Sequence, residues 1–238
     1  MIPLADTLHS RTTPVVTRTL VAINVLVFLH ELDLGRRLSW FFLHYGVVPI
    51  RYTQPEIAQH FSGFEQIYPF FTSLFLHEGW VHLISNMWVL WIFGDNVEER
   101  FGRLRFLVFY LVFGVVGGIA QVLTNADSSM PTIGASGAIA GVTGAYLVLF
   151  PHARVLTLVF IFIFIDFWEI PAPVFFLFWF FSQLFSGALS LLEERSLGGV
   201  AWWAHIGGFL VGMLVGAVAR MQTALRRGKR RRERVALD

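Results

Sequence analysis

The sequence has 238 residues, 55% of them hydrophobic and only 14% charged, with a mean hydropathy of +0.63 and a net charge of +2. Soluble domains carry about 25% charged residues, so this composition excludes an ordinary soluble domain and points to a lipid bilayer as solvent, as do the 25 phenylalanines. The absence of cysteine excludes disulfides and thiolate metal sites.

From the N-terminus, residues 1–14 are polar, lack the apolar core and cleavage site of a secretory signal, and read as a cytoplasmic tail. A spanning helix needs about 20 mainly apolar residues; the first such run covers residues 15–32. The following loop, 33–68, contains an apolar stretch at 40–49, too short to span and too apolar to be solvated. It is expected to lie half-embedded at the interface, with Trp40 and Tyr45 at headgroup level. A second span is expected over 80–98, extended backwards by apolar residues 70–76, and a third over 105–123. The fourth, 135–150, is the shortest, as for a helix that starts inside the membrane from a protein-lined loop. Residues 155–165 are β-branched and aromatic and run into Asp166, Glu169, Pro171 and Pro173; they read as an interfacial or strand-like segment. The fifth and sixth spans are expected over 172–192 and 201–221, and residues 223–238 form a basic tail.

With six spans both termini share a side, and 14 of the 18 Lys and Arg fall there; Arg36, Arg37, Arg51 and Arg195 fall on the other. The positive-inside rule makes the richer side the cytoplasm. The basic tail reads as an anchor on anionic lipid headgroups rather than a nucleic-acid site. The fold class expected is an all-α polytopic membrane protein, a six-helix bundle over 15–222 between two cytoplasmic tails.

This topology lets depth be read. The fourth span opens at Ser136, between Gly134 and Gly137, just below the outer surface. Gly137 and Gly141 stand four apart, as do Ser136, Ala140 and Gly144, leaving helix faces almost without side chains. The sixth span opens at the same side with Trp202 and Trp203, and His205 lies about 3 Å deeper. Gly208, Gly212 and Gly216 repeat along that helix on the side of His205. If the two smooth faces meet, an imidazole reaches a hydroxyl, as a base-activated serine requires. A serine on a small-residue face is ordinarily packing, but a histidine at this depth costs a few kcal/mol unless it is satisfied or functional.

The second span adds His82 and Asn86, four residues apart on one face near its outer end. Taken separately they read as a satisfied core histidine and an interhelical hydrogen bond. Together with the Ser136 N–H they would supply donors for an oxyanion. His77 and His82 superficially resemble a zinc-protease pair, but such a pair stands four apart. Five residues leaves them about 140° from facing one another, so no metal is expected. Gly134-Ala135-Ser136-Gly137-Ala138 is one glycine short of a nucleophile elbow and lacks the α/β sheet around it.

These motifs, in this order, resemble the rhomboid intramembrane serine proteases of the compact six-helix type. Gly134-Ala135-Ser136-Gly137-Ala138 is similar to the family's nucleophile motif and His82-Leu83-Ile84-Ser85-Asn86 to its second-helix motif. Ala204-His205-Ile206-Gly207-Gly208 with Gly212 resembles its base motif, and Gly94-Asp95-Asn96-Val97-Glu98 with Gly102 the end of its second helix. The resemblance implies a Ser136–His205 dyad without an acidic third member, His82 and Asn86 as oxyanion donors, and no cofactor. It also implies a first outer loop lying sideways in the outer leaflet, and a fifth helix that gates entry of transmembrane-helix protein substrates. Where some members carry a tyrosine against which the base stacks, this chain has Ala140, so the ring requires support from elsewhere, Trp202 and Trp203 being candidates. The competing reading is a non-catalytic relative that binds transmembrane helices; such proteins typically lack part of the reactive set. Short tails and no organelle-targeting presequence lead to the expectation of a prokaryotic plasma membrane.

Overall fold

The computed structural model describes residues 1–161, 164–190 and 200–235. The end of the fifth expected span beyond Ser190, Arg195, and the side chains of the basic tail from Arg227 lie outside the described residues.

Six long helices stand where the apolar runs are: α1 Val15–Asp33, α2 Trp80–Phe101, α3 Arg103–Thr124, α4 Ser136–Leu149, α5 Ala172–Ser190 and α6 Trp202–Val235. Four of them are long and apolar enough to cross a membrane, over Val15–Asp33, Arg103–Thr124, Ala172–Leu189 and Trp202–Arg226. α4 is apolar but shorter, and α2 carries Asp95, Glu98, Glu99 and Arg100 in its last turns. α4 is the axis of the bundle, with every residue from Gly137 to Leu147 buried.

The end of α2 explains one sequence motif atom by atom. The first N–H groups of a helix have no intrahelical acceptor. At the start of α1 the Glu98 carboxylate takes them: it accepts from the N–H of Val16 at 3.0 Å, and from the N–H and hydroxyl of Thr17 at 2.8 Å each. Gly94 lets the helices approach this closely, since a Cβ there would stand 3.0 Å from the Thr17 methyl. Gly102, at φ +80°, makes the one-residue turn between α2 and α3; a side chain there would be strained.

The segment between α1 and α2 folds as short helices, among them Leu38–Tyr45, on which Trp40 is exposed and Tyr45 half-buried. It is held by Arg51, which is buried and donates to the carbonyls of Leu43 and Glu65, with its guanidinium 3.8 Å from the Phe61 ring centroid. Val47 and Thr132 exchange backbone hydrogen bonds of 3.1 and 2.7 Å, which fastens this loop to the segment leading into α4. Residues 70–76 do not extend α2 backwards. They form the turns Pro69–Thr72 and Ser73–Phe75, after which Leu76 is extended and α2 begins only after Gly79. The His77 N–H points instead at the buried carboxylate of Glu31 on α1, 3.3 Å from each oxygen, a bond that helix continuation would forbid.

The largest departure from an all-helical bundle is a three-stranded antiparallel sheet, β1 Ile2–Asp6, β2 Arg154–Ile161 and β3 Phe164–Pro171, in the order β1-β2-β3. The strand-like reading of 155–165 holds, and its β-branched and aromatic residues fit a pleated surface. Residues expected as a polar tail supply β1, which pairs Ile2 with Leu158 and Asp6 with Val155. β1 packs on α2, where the Trp88 indole N–H donates to the Pro3 carbonyl at 2.6 Å, while β2 and β3 pack on α5. The sheet thus stands between α2 and α5, with Phe160, Phe164, Phe167 and Trp168 exposed on it.

Candidate active site

The site begins with the seam between α4 and α6, where the expected glycine faces meet. A Cβ on Gly208 would lie 2.0 Å from the Gly137 carbonyl oxygen, one on Gly212 1.9 Å from that of Gly141, and one on Gly144 2.2 Å from that of Phe209. No side chain fits those spaces, so glycine is the condition for this helix pair to touch. Contact at this range fixes the register of the two helices, and the two polar residues near their N-terminal ends are placed by it. His205 Nε2 lies 2.7 Å from Ser136 Oγ. Hydroxyl and ring nitrogen are at hydrogen-bonding distance, and His205 is 7% exposed.

The loop before α4 brings in the other candidates. Gly134, at φ +120°, donates its N–H to the Ser73 carbonyl at 2.8 Å. A Cβ on it would stand 2.6 Å from His82 Nε2, so the His82 ring lies directly against the backbone that leads to Ser136. Asn86, one turn along the same helix, is 6% exposed, and its Nδ2 has no hydrogen-bond partner among the described residues. A buried amide donor without an acceptor is costly unless something else takes its hydrogen bond. Ser136 itself opens α4, where backbone N–H groups are unclaimed by the helix. Ser136, His205, His82 and Asn86 all line one cavity of about 1090 Å³, which also reaches Glu78 and, on the side of the sheet, Pro3. His77, the other half of the zinc-like pair, is buried outside this wall with its ring edge-on to His82, centroids 5.0 Å apart.

Two residues of α5 escaped the reading of the sequence. Gln183 is buried, and its Oε1 lies 2.7 Å from His205 Nδ1. Trp179, one turn earlier, has its ring centroid 6.0 Å from that of His205 at a tilt of 32°. Trp202 approaches the imidazole edge-on at 6.2 Å. The ring support that Ala140 cannot provide therefore comes from Trp202, one of the two candidates, and from Trp179. A signal was present: Gln183 is the one carboxamide in an otherwise apolar run, and it stands four residues from a tryptophan on one helical face. No carboxylate is hydrogen-bonded to His205 among the described residues.

Residues 64–222 match the Rhomboid domain family. The chain is 34% identical over 154 residues to RHOMBOID-like protein 6, mitochondrial, of Arabidopsis thaliana, covering 63% of this chain and 43% of that one. It is 30% identical over 154 residues to Rhomboid protein 1, mitochondrial, of Saccharomyces cerevisiae, covering 60% of this chain and 39% of that one. Over 76 residues it is 45% identical to the rhomboid protease GluP of Bacillus subtilis, covering 32% and 14%. The chain thus spans about two fifths of the length of the first two relatives. Both are named as mitochondrial, which gives the expected prokaryotic plasma membrane no support, whereas the spanning helices make this an integral membrane protein. On the match over most of its length, the chain belongs to the rhomboid family.

Proposed function

We propose that this chain is an intramembrane serine endopeptidase that hydrolyses peptide bonds in or beside the transmembrane helices of other membrane proteins. The observation that carries the reading is the 2.7 Å approach of Ser136 Oγ to His205 Nε2 on the wall of a cavity. Ser136 Oγ attacks the scissile carbonyl carbon while His205 Nε2 takes the hydroxyl proton; the same proton then passes to the leaving amine as the C–N bond breaks. Water repeats the sequence on the acyl-enzyme. The oxyanion is held by the Asn86 carboxamide, the His82 imidazole and the Ser136 N–H; loss of one such donor costs about 10²–10³ in rate. The unclaimed Nδ2 of Asn86 supports this role.

In this reading α1 to α6 are six spans with both termini on the cytoplasmic side, supported by the distribution of basic residues. The dyad then lies near the opposite face, where water enters. A helical substrate must unwind to offer its carbonyl, which favours small or helix-breaking residues near the cut.

The test is cleavage of a reporter transmembrane substrate by the purified protein in liposomes, beside Ser136→Ala and His205→Ala. Both variants are expected to fold and to lose cleavage. Wild type is expected to react with a fluorophosphonate probe and Ser136→Ala not; equal labelling of the two would show that the nucleophile is another residue. A folded wild type that binds transmembrane helices without cutting them would establish the non-catalytic reading instead.

A further inference from the structure

We propose that Gln183 of α5 is a positioning residue for the base: it holds His205 in the tautomer that leaves Nε2 free to accept the Ser136 proton. The proposal rests on the protease reading and adds a third member to the dyad.

A neutral imidazole carries one N–H, and the partner at one nitrogen decides which nitrogen bears it. Ser136 must give up its proton, so Nε2 has to be the bare nitrogen and Nδ1 the protonated one. At Nδ1 the structure supplies a carbonyl oxygen, Gln183 Oε1 at 2.7 Å, which accepts but cannot donate. At the other end of the same carboxamide Gln183 Nε2 donates to the Ser182 hydroxyl oxygen at 3.4 Å, so the amide has an acceptor on the side away from the histidine. Both residues are buried, with Gln183 8% and His205 7% exposed, which weakens the competition of solvent for Nδ1.

The bare alternative is a ring held only by the tryptophan contacts. Those contacts restrict the plane of the ring but do not distinguish its two nitrogens. In serine hydrolases with a third member, holding the wrong tautomer lowers kcat by about 10⁴. A neutral amide does the orienting part of that work without placing an uncompensated carboxylate in an apolar wall, where burying a charge is costly. During the reaction Nδ1–H stays on its nitrogen and its bond to Gln183 strengthens as the ring becomes cationic, because hydrogen bonds from an ionised donor are the stronger ones.

The experiment compares wild type, Gln183→Leu, Gln183→Glu and Ser136→Ala on a reporter transmembrane substrate in liposomes, with kcat and KM measured from pH 5 to 9. Gln183→Leu keeps the bulk and removes the acceptor; kcat is expected to fall about 10- to 100-fold with KM little changed. Gln183→Glu keeps the acceptor and adds charge opposite Nδ1–H. It is expected to retain most of the activity, with the acid limb of kcat/KM moved to higher pH, since a carboxylate there favours the imidazolium. The other titratable groups of the cavity-lining residues, the Met1 amine, Glu78 and His82, are unchanged in both variants, so a difference in the limb reports on His205. Gln183→Leu at the wild-type kcat, or Gln183→Glu with an unmoved acid limb, would overturn the proposal; should Gln183→Leu not fold, the Gln183→Glu profile decides alone. Wild-type activity that Ser136→Ala does not abolish sinks the protease reading and this proposal with it, whereas Ser136-dependent cleavage that is indifferent to position 183 sinks only the proposal.

Discussion

The two flanks of α4 are built in opposite ways. Toward α6, backbone meets backbone: Gly208 and Gly212 lie against the carbonyls of Gly137 and Gly141, and Gly144 against that of Phe209, with no room for a methyl group at any of the three. On the cavity side, α2 and α5 meet edge to face at the Phe93 and Phe176 rings, centroids 4.9 Å apart. Beside that contact lies a space of about 1090 Å³, the sheet packs on both helices, and the cavity wall includes the half-buried Trp179, Trp202 and Trp203. A nucleophile and its base must be held to a few tenths of an ångström, which a packed, inflexible seam achieves. A substrate must be let in, which such a seam forbids. The Ser136–His205 pair sits where the two regimes meet: both residues are placed by the seam, while Gln183 reaches His205 from the looser flank and Asn86 lines the same cavity.

The most damaging way to break the contrast is to add bulk to the seam. Gly212→Val puts a side chain where even a Cβ is 1.9 Å from a carbonyl oxygen. Overpacking costs about 1–3 kcal/mol or more, and here backbone on both sides has no rotamer to yield, so loss of the folded state in thermal unfolding and loss of cleavage are expected together. The matched change on the other flank is Gly79→Ala. That residue is extended, with φ 177°, and a Cβ meets nothing within 4 Å, so a shift below about 1 kcal/mol is expected. Equal melting temperatures for the two variants would show that the seam is not the rigid half.

Asn86→Ala sharpens the contrast from the cavity side. Its Nδ2 holds nothing together among the described residues, so the melting temperature is expected to stay near that of wild type while kcat falls about 10²–10³-fold. A large fall in melting temperature with kcat per folded molecule unchanged would make Asn86 a packing residue. Glu98→Ala is expected to do the reverse. It uncaps α1 by removing three hydrogen bonds far from the dyad. A loss of about 2 kcal/mol in stability with unaltered kcat is expected, read from denaturation and from cleavage by the protein that remains folded.

Sequence alone revealed the seam better than it revealed the flank. Glycines at helical spacing beside Ser136 and His205 are a local pattern, and their contact follows from period and depth, both countable along one helix. Gln183 is 22 residues from His205 on another helix; its lone carboxamide signals that something must satisfy it, but not which residue of another helix does. The sheet was legible only in part. The hairpin residues have strand-like composition, but β1 is a five-residue stretch of the expected tail whose partner lies some 150 residues away, and such pairing leaves no periodic trace at either end. The break at Leu76 and Gly79 was hidden for the same reason: it depends on Glu31 of α1 reaching the His77 N–H, a contact between helices rather than a propensity of either.

The smallest effect expected is at Asp6, where the sheet is tied to the bundle. Its carboxylate accepts from the Asn96 amide at 3.0 Å and from the Tyr146 hydroxyl, joining β1 to both α2 and α4. Partial burial raises its pKa above the ordinary carboxylate value, against the opposing pull of the Tyr146 hydrogen bond. The folded protein therefore holds the Asp6 proton more tightly than the unfolded chain does. Where the native state binds more protons, stability falls as pH rises. The fall is confined to the window between the ordinary carboxylate value, about 3.9, and the raised one, and the curve is flat with respect to Asp6 above it. Asp6→Asn removes that group from the titration while keeping an oxygen for one of the two donors. The difference in melting temperature between wild type and Asp6→Asn is then expected to vary with pH in the acid range and become constant near neutrality, by about 2 °C or less in all. A difference that grows toward alkaline pH would mean that the strand is tied down by some group other than this carboxyl.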